Sequence, residues 1–193
     1  MPPAPGSRKR KSDTVAGGAA AAEPATKKKQ TAKKADDPLP DLSDIRLAGD
    51  DHMNVPVYDT CDTVRTKIRA LLRRDGVTKA AFLRALVKAA YPAGSTHKMA
   101  PNLLTNFMSK KGAAAGNTSS VFYAAYVFFE KLRVRDGKPK SKKREDMERE
   151  WPAGFETKEL LNGPWVTAHD SETVALDRFG KTVISGPRGV IRG

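Results

Sequence analysis

The stretch Ser119-Ser120-Val121-Phe122-Tyr123-Ala124-Ala125-Tyr126-Val127-Phe128-Phe129-Glu130-Lys131-Leu132-Arg133-Val134 decides the fold. Val121, Ala125, Phe128 and Leu132 recur at helical spacing and form one apolar stripe, flanked by Phe122 and Phe129. Tyr123 and Val127 fall on the opposite side. A helix that is apolar almost all round is buried on two sides. The stretch therefore predicts a central helix over about 119–134, with Asn117 or Thr118 as its N-cap. Its second side needs a cover, and the downstream aromatics Trp151, Phe155 and Trp165 are the candidates.

Working outward, three further helical periods precede it. Residues 62–74 place Val64, Ile68, Leu71 and Leu72 on one face, with Cys61 near it. Asp59, Thr60 or Asp62 supplies the N-cap and Asp75-Gly76 the stop. Arg65, Arg69 and Arg73 follow at i, i+4 and i+8 as a basic stripe along one flank. A second helix begins after Thr78, with Phe82, Leu83, Leu86, Val87 and Ala90 inward and Arg84 and Lys88 outward. Tyr91 to Ser95 is a break. A third helix over about 100–110 tolerates Pro101 in its first turn. Leu103, Leu104, Phe107 and Met108 form its apolar face, and Asn102, Thr105, Asn106 and Ser109 lie opposite. Gly112 to Gly116 reads as a flexible loop.

Downstream, Ser141 is positioned to cap a short charged helix. Residues 174–184 read as two short strands around a turn near Gly180, and Gly186-Pro187-Arg188-Gly189 is expected to fray. The fold class predicted is mainly α, a four- to five-helix domain over 57–167. It carries a disordered basic tail over 1–40 and an acidic linker over 41–56. An irregular C-terminal extension over 168–193 holds the short β-hairpin.

Charge separates these segments. The chain has 193 residues and a formal net charge of +13, from 35 Lys+Arg and 22 Asp+Glu. Residues 37–62 hold seven acidic side chains and one basic, whereas 63–135 hold fourteen basic and two acidic. Residues 1–40 are Pro, Ala, Gly, Lys and Ser/Thr, with too little apolar surface to offset ordering entropy. Arg8, Lys9, Arg10 and Lys11, then Lys27, Lys28 and Lys29, are two basic clusters on a flexible spacer. That arrangement suits the acidic grooves of a nuclear import receptor and predicts a nuclear location. The other reading of these clusters is a nonspecific nucleic-acid-binding tail.

The chemistry-bearing residues are sparse. His52, His97 and His169 are far apart, without metal-ligand spacing, and the single Cys61 excludes a disulfide scaffold. Gly112 to Gly116 lacks the Lys-Ser/Thr of a phosphate-binding loop and follows a helix rather than a strand. No apolar run approaches the roughly 20 residues that cross a bilayer. We therefore expect no enzyme, no metal or other cofactor and no membrane partner.

Two resemblances bear on function. The run Gly76-Val77-Thr78-Lys79-Ala80-Ala81-Phe82-Leu83, followed by Leu103-Leu104-Thr105-Asn106-Phe107-Met108-Ser109-Lys110-Lys111-Gly112, resembles the helix-turn-helix core of lambda-repressor-like domains. That resemblance implies that the second of these helices enters the DNA major groove and that a later apolar helix closes the core. This chain departs from the pattern by placing about ten residues, roughly 91–99, where the family has a short turn. Residues 57–167 also resemble an uncharacterised domain found in fungal proteins, through Ala115 to Tyr123, Phe128 to Arg133 and Gly137 to Lys142.

The physics points the same way. Lys and Arg contacts to phosphate release counterions and give sequence-independent affinity. Asn pairs bidentately with adenine in the major groove. Asn102, Thr105, Asn106 and Ser109 are thus the expected base readers, with Lys110, Lys111, Arg65, Arg69 and Arg73 on phosphate. The arginine stripe has a second reading, pairing with the acidic linker. The rival function is a helical interaction module whose basic face binds an acidic protein partner. We expect a nuclear DNA-binding protein of helix-turn-helix type, a transcription or chromatin regulator.

Overall fold

A computed structural model describes residues 38–92, 94–161 and 166–192. The import clusters at Arg8 to Lys11 and Lys27 to Lys29, and Trp165, lie outside these residues. The described chain holds five α-helices: α1 (Cys61–Leu72), α2 (Lys79–Ala90), α3 (Pro101–Ser109), α4 (Ser120–Arg135) and α5 (Lys142–Glu150). An antiparallel sheet in the order β1-β2-β3 follows: β1 (Thr173–Leu176), β2 (Thr182–Gly186) and β3 (Gly189–Arg192). The architecture is mainly α with a small C-terminal sheet. Among the described residues no helix is long and apolar enough to cross a membrane.

Local chemistry sets most of the helix starts. The Thr60 hydroxyl accepts from Thr63 N–H at the head of α1, Thr78 from Ala81 N–H at α2, and Ser141 from Arg144 N–H at α5. The start of α4 is different. Ser119 occupies its cap position without a side-chain bond, and Asn117 is buried. The Asn117 amide donates instead to the carbonyls of Glu156 and Glu159, at 2.8 and 2.6 Å. It ties the turn before α4 to the segment after α5.

Helix α4 is the core. Val121, Phe122, Ala124, Ala125, Tyr126, Val127 and Phe128 are all buried. Phe82 of α2 meets Phe128 edge-on at 5.8 Å, and Phe107 of α3 packs on Phe122 at 6.0 Å. Phe155 meets the same Phe122 ring edge-on at 5.9 Å and Trp151 backs Phe155 at 5.2 Å. Met147 of α5 is also buried.

Further cover comes from residues 38–59, the stretch whose charge reads as a linker. It lies on the helices as a strap, with Leu39, Leu42, Val55 and Val57 buried in the common core. The Tyr123 hydroxyl accepts from Val55 N–H at 3.1 Å, so the helix side carrying Tyr123 faces this strap. A turn at Gly49 makes the strap double back. Gly49 O accepts from Asn54 N–H at 2.9 Å, and a Cβ on Gly49, at φ 85°, would sit 2.4 Å from Asn54 O. The turn sets Asp50 on the Lys131 ammonium at 2.6 Å, both side chains buried.

The sheet is held at its first turn. Asp177 Oδ1 accepts from Phe179 and Lys181 N–H, Phe179 is buried, and Trp151 Nε1–H donates to Phe179 O at 3.0 Å. Gly186 to Gly189, expected to fray, instead makes a tight turn in which Gly186 pairs with Gly189 across Pro187-Arg188, and β3 follows.

Candidate nucleic-acid interface

Only Leu104 and Phe107 of α3 are buried. Asn102, Thr105, Asn106, Ser109, Lys110 and Lys111 are all exposed, as the helical period requires. Thr105 Oγ1–H donates to Pro101 O at 3.2 Å and Ser109 Oγ–H to Asn106 O at 3.0 Å. Both hydroxyls therefore turn acceptor lone pairs outward. The Asn102 and Asn106 amides have no partner among the described residues and keep both their donors and their acceptor for a ligand.

A groove of about 320 Å³ runs beside this face, lined by Leu72, Lys79, Leu104, Thr105, Met108 and Ser109. It brings the end of α1 and the start of α2 against the polar face of α3. Arg73, exposed, follows Leu72 directly, and Lys79 is added to the candidate set by this geometry.

Arg65 does not belong to this surface. Its side chain is 0% exposed. The guanidinium donates to Ala115 O at 2.8 Å, Gly112 O at 2.5 Å, Phe107 O at 3.4 Å and Asp62 Oδ1 at 2.9 Å. It also lies 5.0 Å over the Phe107 ring. Assignment to phosphate is corrected to an internal role: every outward path for this cation is closed by the 107–115 backbone. The same contacts explain why Gly112 to Gly116 is not loose. Cys61 N–H donates to Ala113 O at 2.8 Å, Ala114 is fully buried, and Arg65 gathers carbonyls from both sides of the turn. A cation on Phe107 O also complements the C-terminal end of the α3 dipole.

The charge of 63–135 is divided by the strap. Asp59 takes Lys67 at 2.5 Å, Asp50 takes Lys131, and Asp41 approaches Lys88 at 3.9 Å. Glu130 takes Arg133 and Arg144. Arg69, Arg73, Arg74, Lys79, Lys98, Lys110 and Lys111 are exposed and have no carboxylate partner among the described residues. The acidic strap thus neutralises cations away from α3, and Arg69 and Arg73 do not pair with it.

The strongly perturbed groups lie elsewhere and are structural. Glu130 is pushed up by burial, but bonds from Arg133 and charge from Arg144 outweigh this and hold its carboxyl below the usual range. Burial raises Asp59 despite Lys67. Burial also pushes the Cys61 thiol up to about 12, which suits a packing residue rather than a nucleophile. Among the described residues no group of three His, Cys, Asp or Glu side chains could hold a metal ion.

Comparison with known proteins finds a similarity over part of this chain. Residues 55–139, from the end of the strap through α4, match a family described as a domain of unknown function, DUF7726. The match contains α1 to α4 and hence the whole α3 surface, and leaves out α5 and the sheet. No curated protein and no solved structure matches the chain.

Proposed function

We propose that this chain is a nuclear DNA-binding protein of helix-turn-helix type, with α3 as the helix that enters the major groove. The observation that carries the reading is the division of charge. Strap carboxylates sit at Lys67, Lys88 and Lys131. Lys79 lines the groove beside the unpartnered amides of α3, Lys110 and Lys111 follow its end, and Arg69 of α1 and its C-cap Arg73 stay without a carboxylate among the described residues. Cations without carboxylates supply phosphate affinity. Asn102 and Asn106 supply donor–acceptor pairs that match adenine. A buried Leu104 and Phe107 and the Arg65 bolt support α3 as a rigid reader rather than a loose helix. Action in transcription or chromatin is the corresponding role.

A second reading, a helical module that binds an acidic protein, is favoured by the long connection between α2 and α3, which ends one helix at Ala90 and starts the next at Pro101. Fluorescence anisotropy on a random-sequence duplex tests the first reading. Affinity should fall steeply with salt, and Lys111→Ala and Arg73→Ala should each reduce the log–log slope by about one phosphate contact. Duplex binding that is absent at low salt sinks the proposal and leaves the acidic-protein reading.

A further inference from the structure

The C-terminal sheet is not used by the α3 reading, and its chemistry is different. β1 and β3 are its two edges, and both are exposed along their whole length. Register puts Val174, Ile184 and Ile191 side by side in one row across the three strands. Val174 is 41% exposed, and Val190 and Ile191 are each 66% exposed. Folded proteins usually protect an edge strand with a charge pointing inward, a proline or a cover. β3 presents Val190 and Ile191 to solvent uncovered among the described residues, with Pro187 and Arg188 before it and Arg192 at its end.

The charge of this edge is one-sided. Residues 178–192 contain Arg178, Lys181, Arg188 and Arg192 and no carboxylate. Lys181 approaches Glu150 at 3.8 Å, whereas Arg188 and Arg192, one just before β3 and one ending it, have no partner among the described residues. We propose that β3 is a strand-addition site for an acidic, extended polypeptide. The added strand would lay apolar side chains beside Ile191, continuing the Val174–Ile184–Ile191 row, and carboxylates beside Arg188 and Arg192.

Two other occupants fit less well. Single-stranded nucleic acid on a sheet is held by aromatic platforms. The strands of this sheet carry none, and Phe179 in the turn is buried. Two copies joined β3 to β3 in antiparallel fashion, with like faces matched, bring Arg188 and Arg192 of the copies together, and like charges opposite one another are destabilising. An acidic strand satisfies both the backbone edge and the two arginines, as in other strand-addition complexes.

The test uses the full chain and a fluorescein-labelled peptide of alternating glutamate and valine, with a lysine–valine peptide as control. The glutamate peptide should bind more tightly than about 1 mM and slow amide exchange in Gly189–Arg192. The lysine peptide should not bind. Arg188→Glu combined with Arg192→Glu should weaken binding at least about tenfold, as should Ile191→Lys, which installs an edge lysine. Both changes are on exposed side chains, and an unchanged Trp151 emission, read in a Trp165→Phe background, reports that the hairpin remains seated on Trp151. The proposal is overturned if the peptide does not bind, or if it binds the charge-reversed variant equally well. It is also overturned if the β3 amides are protected by duplex DNA instead. Concentration-dependent self-association that Ile191→Lys abolishes would assign the edge to a second copy and overturn it too.

Discussion

Arg65→Met separates three arginines that one helical stripe presents as equivalent. Methionine keeps much of the volume and removes the guanidinium. Gly112 O and Ala115 O then lose donors at 2.5 and 2.8 Å, and Phe107 O loses a weaker one at 3.4 Å. Hydrogen bonds from a charged donor are worth about 1.5–3 kcal/mol each, so losing the two short ones to buried carbonyls sets a scale of about 3–6 kcal/mol. Asp62 is half-exposed and recovers water, so its loss adds little. We take about 3–6 kcal/mol as the expected destabilisation, a large part of the about 5–15 kcal/mol typical of a domain. At this chain length that is a fall in Tm of about 6–24 °C. Arg69→Met, on an exposed residue, should stay within about 0.5 kcal/mol. Urea denaturation followed by tryptophan fluorescence measures both, and Arg65→Lys should fall between them because a single ammonium cannot reach all three carbonyls. A loss below about 1 kcal/mol for Arg65→Met would refute the claim that this side chain bolts α3 to α1.

Other expectations follow from the strap and the buried charges. Tyr123→Phe removes the acceptor for Val55 N–H and should cost about 1 kcal/mol; an unchanged stability would mean that the strap is held by its apolar residues alone. Glu130, whose carboxyl is held below its ordinary value, contributes stability that is fully present above the usual carboxylate range and is lost as pH falls through the lowered value. Glu130→Gln should therefore flatten the acid limb of the stability curve, and an unaltered limb argues against the assignment. Cys61 should resist a thiol reagent at neutral pH in the native state and react at the unfolding rate, since its thiol is buried and raised to about 12; rapid native labelling would contradict this.

What the sequence conveyed was local. Thr60, Thr78 and Ser141 are caps because a hydroxyl just ahead of a helix accepts from the N–H three residues on, although Asp59 and Asp62 are equally legible candidates beside Thr60. The all-round apolar character of 119–134 required cover on two sides, but Tyr123 meets Val55 of the strap, whereas Phe155 packs on Phe122. What escaped notice was long-range. Successive i, i+4 positions drift by about 40° around a helix, so Arg65, Arg69 and Arg73 do not share one environment. Arg65 stands at the edge of the Val64–Ile68 face and is engulfed, while Arg73 is turned away. Asn117 looked like a cap because nothing local shows that Glu156 and Glu159 carbonyls come to meet it. The strap reads as a linker because Pro38, Pro40 and Pro56 and its scattered aspartates interrupt any helical or strand period; Leu39, Leu42, Val55 and Val57 are nonetheless all buried. The candidate surface was easier to read: a polar α3 face opposite Leu104 and Phe107 follows from periodicity, whereas the place of Lys79 beside it required the fold.

The central claim is that α3 reads bases, and site selection from a random duplex library tests it most directly. The account predicts that selection enriches a motif. On that motif Asn106→Ala loses about 1–3 kcal/mol but loses little on random duplex, whereas Lys111→Ala weakens both alike. If no motif is enriched, and Asn106→Ala binds both duplexes as the unchanged chain does, α3 is a solvated helix face and the account is contradicted.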